Sequence, residues 1–370
     1  MTAKGGRANF IDYGKGMIVL IVILSHFNPC YYDVGSFNMI FFFFASGYVQ
    51  RKGRHTLAES TKLRFKGILV PFWKAMLILG LMEIPRAYYF GYGDFRIFLL
   101  PILYAIYGSG HLPYLGEFSD YVNSLKPFHP DGTEGLTDVI VPMTCALWFL
   151  PALFCASMMF YIYVNKIRKG LWTDIIAIAI LCVLTFGESA CTWQLPYCLG
   201  RAFWGCTGMI AGYAAKEFDI FETGKKRIPI FLISAVIAVS FAIAGFTTCS
   251  MPNASYYGPY GLLSVSLTVI GGTASSIFFC YLLRGLEKLL KGHDGVLCTI
   301  GRNTMPLYLW HMPIINLLSI ALLLTTQTPP HFSLMYVALL PDEWAIWKWI
   351  FMAMTATIIL LTCKATRRLH

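Results

Sequence analysis

Lys15 and His26 lie eleven residues apart in an apolar segment that reads Ile11-Asp12-Tyr13-Gly14-Lys15-Gly16, then MIVLIVILS, then His26. At 100° per residue that spacing returns to within about 20° of the starting direction, with a rise of ~16 Å. A helix therefore carries both residues on one face, with Asp12 one turn below Lys15. An ionisable group on the inward stripe of a lipid-embedded helix is a functional candidate, because hydrocarbon solvates charge poorly. An imidazole titrates close to neutral pH and can take a proton from a weak nucleophile such as a hydroxyl. His26 is thus a functional candidate for proton transfer. The plainer reading makes Lys15 a cation snorkelling to the inner boundary and His26 a hydrogen-bonded structural residue.

Other segments carry polar groups against the apolar background. Ser46-Gly47 interrupts the run Phe41–Phe44, where a small pair lets helices approach closely. Lys62, Arg64 and Lys66 precede Pro71-Phe72-Trp73-Lys74. Such basic residues set topology or meet lipid phosphates, or they grip a phosphorylated cosubstrate. Lys74 falls inside a span, which topology explains less well. Trp148-Phe149-Leu150-Pro151 opens a later span and suits an interfacial aromatic anchor. Arg201, in LGRAFWGCTGMIAGY, needs a carboxylate or an anionic ligand, and Glu188 is a candidate partner. Finally, Gly301-Arg302-Asn303-Thr304 reads as a helix start, and Tyr308 and His311 follow one turn apart on one face. His311 alone reads equally as a satisfied interior histidine.

All these residues need a scaffold, and composition says which kind. Of 370 residues, 57% are hydrophobic and only 13% charged, against a usual ~45–50% and ~25%. A soluble chain could not hide that much apolar surface behind so few charges. The expected fold is all-α, a polytopic membrane helix bundle forming one domain over 1–370. Ten spans are expected near 11–31, 35–50, 67–85, 146–165, 172–190, 196–215, 228–248, 261–284, 303–324 and 343–363. Lys4, Arg7 and Lys15 ahead of Met17–Leu24 resemble a signal peptide, but no small-x-small site follows, so this segment is read as an uncleaved first span. Segment 96–107 is too short to cross and contains Pro101, so it is expected to be re-entrant or interfacial. With both termini cytoplasmic, 23 of the 29 basic residues fall on the inner side. The net charge of +10 is then a topology signal, and no nucleic-acid partner is expected. One sizeable outer loop covers about 86–145. The eleven cysteines show no C-x-x-C pair and no zinc spacing, so no metal is expected. Most read as small buried hydrophobes. Cys30, Cys191, Cys198 and Cys249 fall near one face, without evidence of pairing.

Taken in order, these motifs resemble the acyltransferase-3 family of integral membrane O-acyltransferases. They are Asp12-x-x-Lys15-Gly16 with His26, the Phe41–Gly47 run, Arg64 and Lys66 before Pro71-Phe72, Trp148-Phe149-Leu150, an Arg201-led span ending Gly212-Tyr213, and Gly301-x-Asn303-Thr304 through Tyr308 to His311. The Trp148 and Arg201 details look most like the fucose 4-O-acetylase-like branch. The likeness runs along nearly the whole chain. Lys15 departs from it, since the family more often has arginine there, and lysine lacks the bidentate fork. The chain stops soon after the tenth span, so delivery of the acceptor is expected to fall to the bundle itself.

The resemblance implies transfer of an acyl group, acetyl in the first instance, from acyl-CoA to a hydroxyl of a cell-surface or lipid-linked carbohydrate. His26 would act as general base or as an acyl-carrying nucleophile. Lys15, Arg64, Lys66 and Lys74 would hold the donor's phosphates. Trp148, Arg201, Asn303, Tyr308 and His311 would serve the acceptor or the oxyanion, and Asp12, Ser46 and Gly47 would be structural. Asp12 lies about 20 Å below His26, too far to orient that ring; the orienting residue is not legible. The protein would sit in the cytoplasmic membrane if bacterial. The alternatives are a carrier or flippase for a lipid-linked sugar, or a non-catalytic part of a polysaccharide assembly.

Overall fold

The computed structural model describes residues 9–26, 36–89, 102, 105–108, 147–189, 195–221, 227–243, 261–289, 295–326, 331–332, 338–339 and 345–368. These form α1 (Asn9–Ser25), α2 (Ser36–Val49), α3 (Leu57–Arg64), α4 (Val70–Tyr89), α5 (Phe149–Ile162), α6 (Leu171–Ser189), α7 (Leu199–Glu217), α8 (Ile228–Ile243), α9 (Gly261–Leu289), α10 (Val296–Arg302), α11 (Thr304–Thr325) and α12 (Ala345–Arg368). A two-residue ladder pairs His331 with Leu339 and Phe332 with Ala338. Among the described residues, five stretches are long and apolar enough to cross a membrane: Leu57–Met82, Phe149–Ile167, Leu171–Glu188, Gly261–Leu289 and Ile346–Lys364. Phe37–Val49 and Ile228–Ile243 are apolar but shorter. The outer loop near 86–145 and segment 96–107 lie largely outside the described residues, as do Cys30, Cys191 and Cys249. Cys198 is a buried free thiol.

The third span starts well before its apolar run. Thr56 accepts from the Glu59 backbone N–H, and the Glu59 carboxylate accepts from Thr56 N–H, a reciprocal capping box that starts α3. Lys62 and Arg64 therefore ride on a helix and not on a loop. A π turn, Phe65–Leu69, carries the helix on into α4.

Apolar burial does little to join helices inside lipid, so close approach and shape must do it. Glycines permit that approach between α2 and α7. A Cβ on Gly47 would stand 2.0 Å from the Met209 carbonyl oxygen, and one on Gly212 would stand 2.0 Å from that of Phe44. The phenylalanine run fills the space around them. Phe42 and Phe43 meet Phe149, Phe43 meets Trp204, and Phe44 meets Phe221, mostly edge to face. Gly47→Ala is expected to destabilise the protein by about 1–3 kcal/mol, because the obstacle is backbone and cannot rotate away. Thermal unfolding in detergent measures this. Gly67→Ala is the control, since nothing stands within 4 Å of the place its new methyl group would take.

One end of the bundle gathers charge. Phe10, Tyr48, Phe221 and Tyr281 form an aromatic cluster there, joining the start of α1 to the ends of α2, α7 and α9. The Arg284 guanidinium lies 5.1 Å from the Phe10 ring. At the turn between α5 and α6, Arg168 makes a two-pronged pair with Asp174 at 2.8 and 2.9 Å, and Tyr163 donates to the same carboxylate at 2.7 Å.

Candidate functional site

The site residues separate into two groups by height along the bundle. The lower group begins with Asp12, which is 3% exposed. Lys15 Nζ stands 3.7 Å from one carboxylate oxygen, and Arg302 Nε stands 3.4 Å from the other. The pairing has a steric basis: a Cβ on Gly301 would fall 1.8 Å from the Asp12 carbonyl oxygen, and one on Gly16 2.3 Å from that of Leu297. Two glycines thus let α10 lie against α1, and Asp12 then meets both cations. Asn303 belongs to this end. Its side-chain amide donates to the Thr299 carbonyl at 2.7 Å, closing α10 before α11 begins.

Beside this group, the segment from Gln50 to His55 is pinned at four points. Arg64 Nη2 donates to the Gln50 side-chain oxygen at 3.0 Å, and Lys216 Nζ to the Gln50 carbonyl at 2.6 Å. Tyr161 donates to the His55 carbonyl at 2.6 Å, and Gly53 N–H to the Asn165 side chain at 3.1 Å. Arg51, Lys52 and Arg54 project from this held segment, exposed. Lys66 and Lys74 are exposed on the helix beyond it. Arg64 also meets Ser60 at 3.3 Å, so its guanidinium is partly committed. Ser46 turns its hydroxyl back to the Phe42 carbonyl at 2.8 Å, which makes it a packing residue of α2.

The upper group holds the remaining candidates. His26 follows the last residue of α1, its backbone N–H reaching the Ile23 carbonyl at 3.3 Å. Its ring lies 5.1 Å, centroid to centroid, from the ring of His311, tilted by 35°. His311 is fully buried. Its Nδ1 stands 2.8 Å from the Tyr308 carbonyl oxygen and 3.2 Å from that of Leu307. Tyr308 lies 5.8 Å from His311 and 5.4 Å from Phe149. Phe149 in turn touches Trp148 at 6.1 Å. Trp148 ends this aromatic chain by stacking under the Arg201 guanidinium, whose carbon sits 4.6 Å above its ring.

Arg201 is 6% exposed, and its Nη1 has no hydrogen-bond partner among the described residues. Glu188, the candidate partner, makes no ion pair with it among the described residues, although the guanidinium's charge acts on that carboxylate. Glu188 accepts instead from the Leu195 backbone N–H at 3.1 Å and fills the space a Cβ on Gly200 would need. Tyr197 and Cys198, with φ of 56° and 51°, turn the chain sharply into α7. Left-handed backbone at two non-glycine residues costs on the order of 1–3 kcal/mol each, and here it sets the direction of the helix that carries Arg201.

The structure therefore brings His26, His311, Tyr308, Trp148 and Arg201 together, and it puts Asp12, Lys15 and Asn303 at the other end. Phe149 and Arg302 stand inside motifs visible in the sequence but without a site role there, and Gln50 and Lys216 are additions that no local pattern singles out. Among the described residues, no three His, Cys, Asp or Glu side chains converge as a metal ion would need. The upper arrangement combines proton-accepting imidazoles with an aromatic-backed guanidinium, which suits hydroxyl activation beside a bound polar group. A family model described as an acyltransferase domain matches residues 8–364. No curated protein and no solved structure matches the chain.

Proposed function

The chain belongs to this acyltransferase-3 family, and on that premise we propose that it moves an acetyl group from acetyl-CoA to a hydroxyl of a cell-surface or lipid-linked carbohydrate. The observation that carries the reading is the imidazole of His26 paired with a second, buried imidazole at the end of α1. His26 takes the hydroxyl proton as the oxygen attacks the thioester carbonyl, and returns it to the leaving thiolate. The oxygen–acyl bond forms and the carbon–sulfur bond breaks, so an ester and a free thiol result.

The donor enters from the charged end. A nucleotide thioester carries several phosphate charges, and that end offers Arg51, Lys52, Arg54, Lys66 and Lys74 exposed. Arg64 orders the segment that presents the first three. Lys15 serves the donor less directly, because Asp12 already holds it. The acceptor binds at the other end, where Arg201 and Trp148 supply a cation and an aromatic plane, and Tyr308 a further polar edge. Asn303 has its part in the junction of α10 and α11. The chain then crosses the cytoplasmic membrane ten times as one domain, with both termini inside. The stacked Trp148–Arg201 pair supports the fucose 4-O-acetylase-like branch.

Mass spectrometry of surface glycans from cells with and without the gene tests the reading. We expect a gene-dependent increment of ~42 Da per acetyl group, lost on mild base treatment as an ester would be. Identical glycan masses in the two strains would refute it.

A further inference from the structure

The two nitrogens of His311 have different fates. Carbonyl oxygens only accept, so the short contact from Nδ1 to the Tyr308 carbonyl requires a hydrogen on Nδ1. The backbone of α11 thereby fixes the tautomer, and the neutral ring carries its lone pair on Nε2. That Nε2 is buried and has no hydrogen-bond partner among the described residues. Leaving a buried acceptor unmet is costly, so its retention asks for an occupant. The neighbouring imidazole is His26, just past the end of α1. Among the described residues, no carboxylate forms an ion pair with either ring.

We propose that His311 is the positioning residue of His26, its Nε2 lone pair accepting the ring N–H of His26 during acyl transfer. The inference rests on the reading of His26 as general base. With one nitrogen of His26 engaged this way, the other is left as a lone pair facing the acceptor hydroxyl. When the hydroxyl oxygen bonds to the acyl carbon, its proton moves to His26. As the carbon–sulfur bond breaks, that proton passes to the thiolate. His311 gains and loses no proton; it orients the ring and stabilises the transient imidazolium, the part a carboxylate plays in other hydrolase and transferase triads. It also supplies the orienting group that Asp12, at the far end of α1, cannot be.

Two substitutions separate this role from packing. In His311→Asn the amide nitrogen falls near the position of Nδ1, keeping a donor for the Tyr308 carbonyl and leaving nothing at Nε2. In His311→Gln the amide reaches the position of Nε2, where its oxygen accepts an N–H, but the donor to the carbonyl is lost. The assay uses membranes from cells expressing the full chain, carbon-14-labelled acetyl-CoA as donor and the endogenous envelope carbohydrate as acceptor. We expect His311→Asn to lower kcat by ~10–100-fold with the KM for acetyl-CoA unchanged, and His311→Gln to recover most of that loss. The opposite order, or an Asn variant at the wild-type rate, would overturn the inference. His26→Ala distinguishes the two levels: if it abolishes labelling while His311→Asn does not, only the positioning role falls. If His26→Ala labels normally, or the wild type labels nothing, the general-base reading falls and this inference with it.

Discussion

His26→Ala is expected to lower acetyl transfer by about 10²–10⁴-fold, the range a positioned general base supplies. The same variant is expected to insert and fold normally, for reasons visible in the structure. His26 follows the last residue of α1, and its backbone bond to the Ile23 carbonyl does not depend on the side chain. Its ring contact is with His311, and the packing of α1 rests elsewhere, on the approach of Gly16 to Leu297 and on the fully buried Tyr13, Ile18 and Ile23. Base-labile acetate on surface glycans reads the activity, and the amount of protein in washed membranes reads the insertion. Loss of both together would mark His26 as a structural residue; unchanged acetate would remove it from the chemistry.

Arg201→Lys is expected to raise the half-saturating concentration of acceptor by ~10–100-fold while leaving the rate at saturation within a few fold. A hydrogen bond to a charged group in a buried site is worth about 1.5–3 kcal/mol, which converts to that factor. Lysine keeps the charge and loses the planar fork and the stacking on Trp148, which holds the guanidinium at 4.6 Å. Glu188 keeps its acceptor contact with the Leu195 N–H, and lysine keeps the positive charge that acts on that carboxylate. Initial labelling rates against increasing amounts of extracted glycan give the two parameters separately. An equal fall in both the rate at saturation and membrane yield would instead show that Arg201 holds α7 in place.

Much of the scaffold is legible from one residue at a time. Hydropathy marks the apolar helices, and loop charge marks the end where Lys15, Arg64, Lys216 and Arg302 collect, because both are sums over residues and need no knowledge of neighbours. The start of the third span shows the limit of that approach. A hydropathy window begins it near 67, whereas the capping box of Thr56 and Glu59, equally present in the sequence, begins the helix at Leu57. The contact of Lys15 with Asp12 at i, i+3 follows from helix geometry alone.

The partners across helices are not legible, for the opposite reason. His26 and His311 stand near opposite ends of the chain, and no period in either segment says that those two helices meet. Arg302 gives the same lesson: its pairing with Asp12 depends on Gly16 and Gly301 letting two backbones come together, a property of two segments at once. Arg201 is legible as a buried cation in need of a partner, but the partner differs from the one its charge suggests. The carboxylate of Glu188 tucks against Gly200, and the guanidinium finds an aromatic ring contributed by another helix. Charge complementarity alone points to Glu188, and only packing selects Trp148.

Passage of an acyl group from a thioester to a hydroxyl under the action of His26 is tested most directly by reconstitution. Purified protein in liposomes is supplied with carbon-14-labelled acetyl-CoA on one side and the extracted glycan on the other. We expect base-labile label on the glycan, free thiol released in equal amount, and neither product with His26→Ala. Passage of the glycan across the bilayer without any acyl-CoA, together with no label on it, would contradict acyl transfer and leave a carrier in its place.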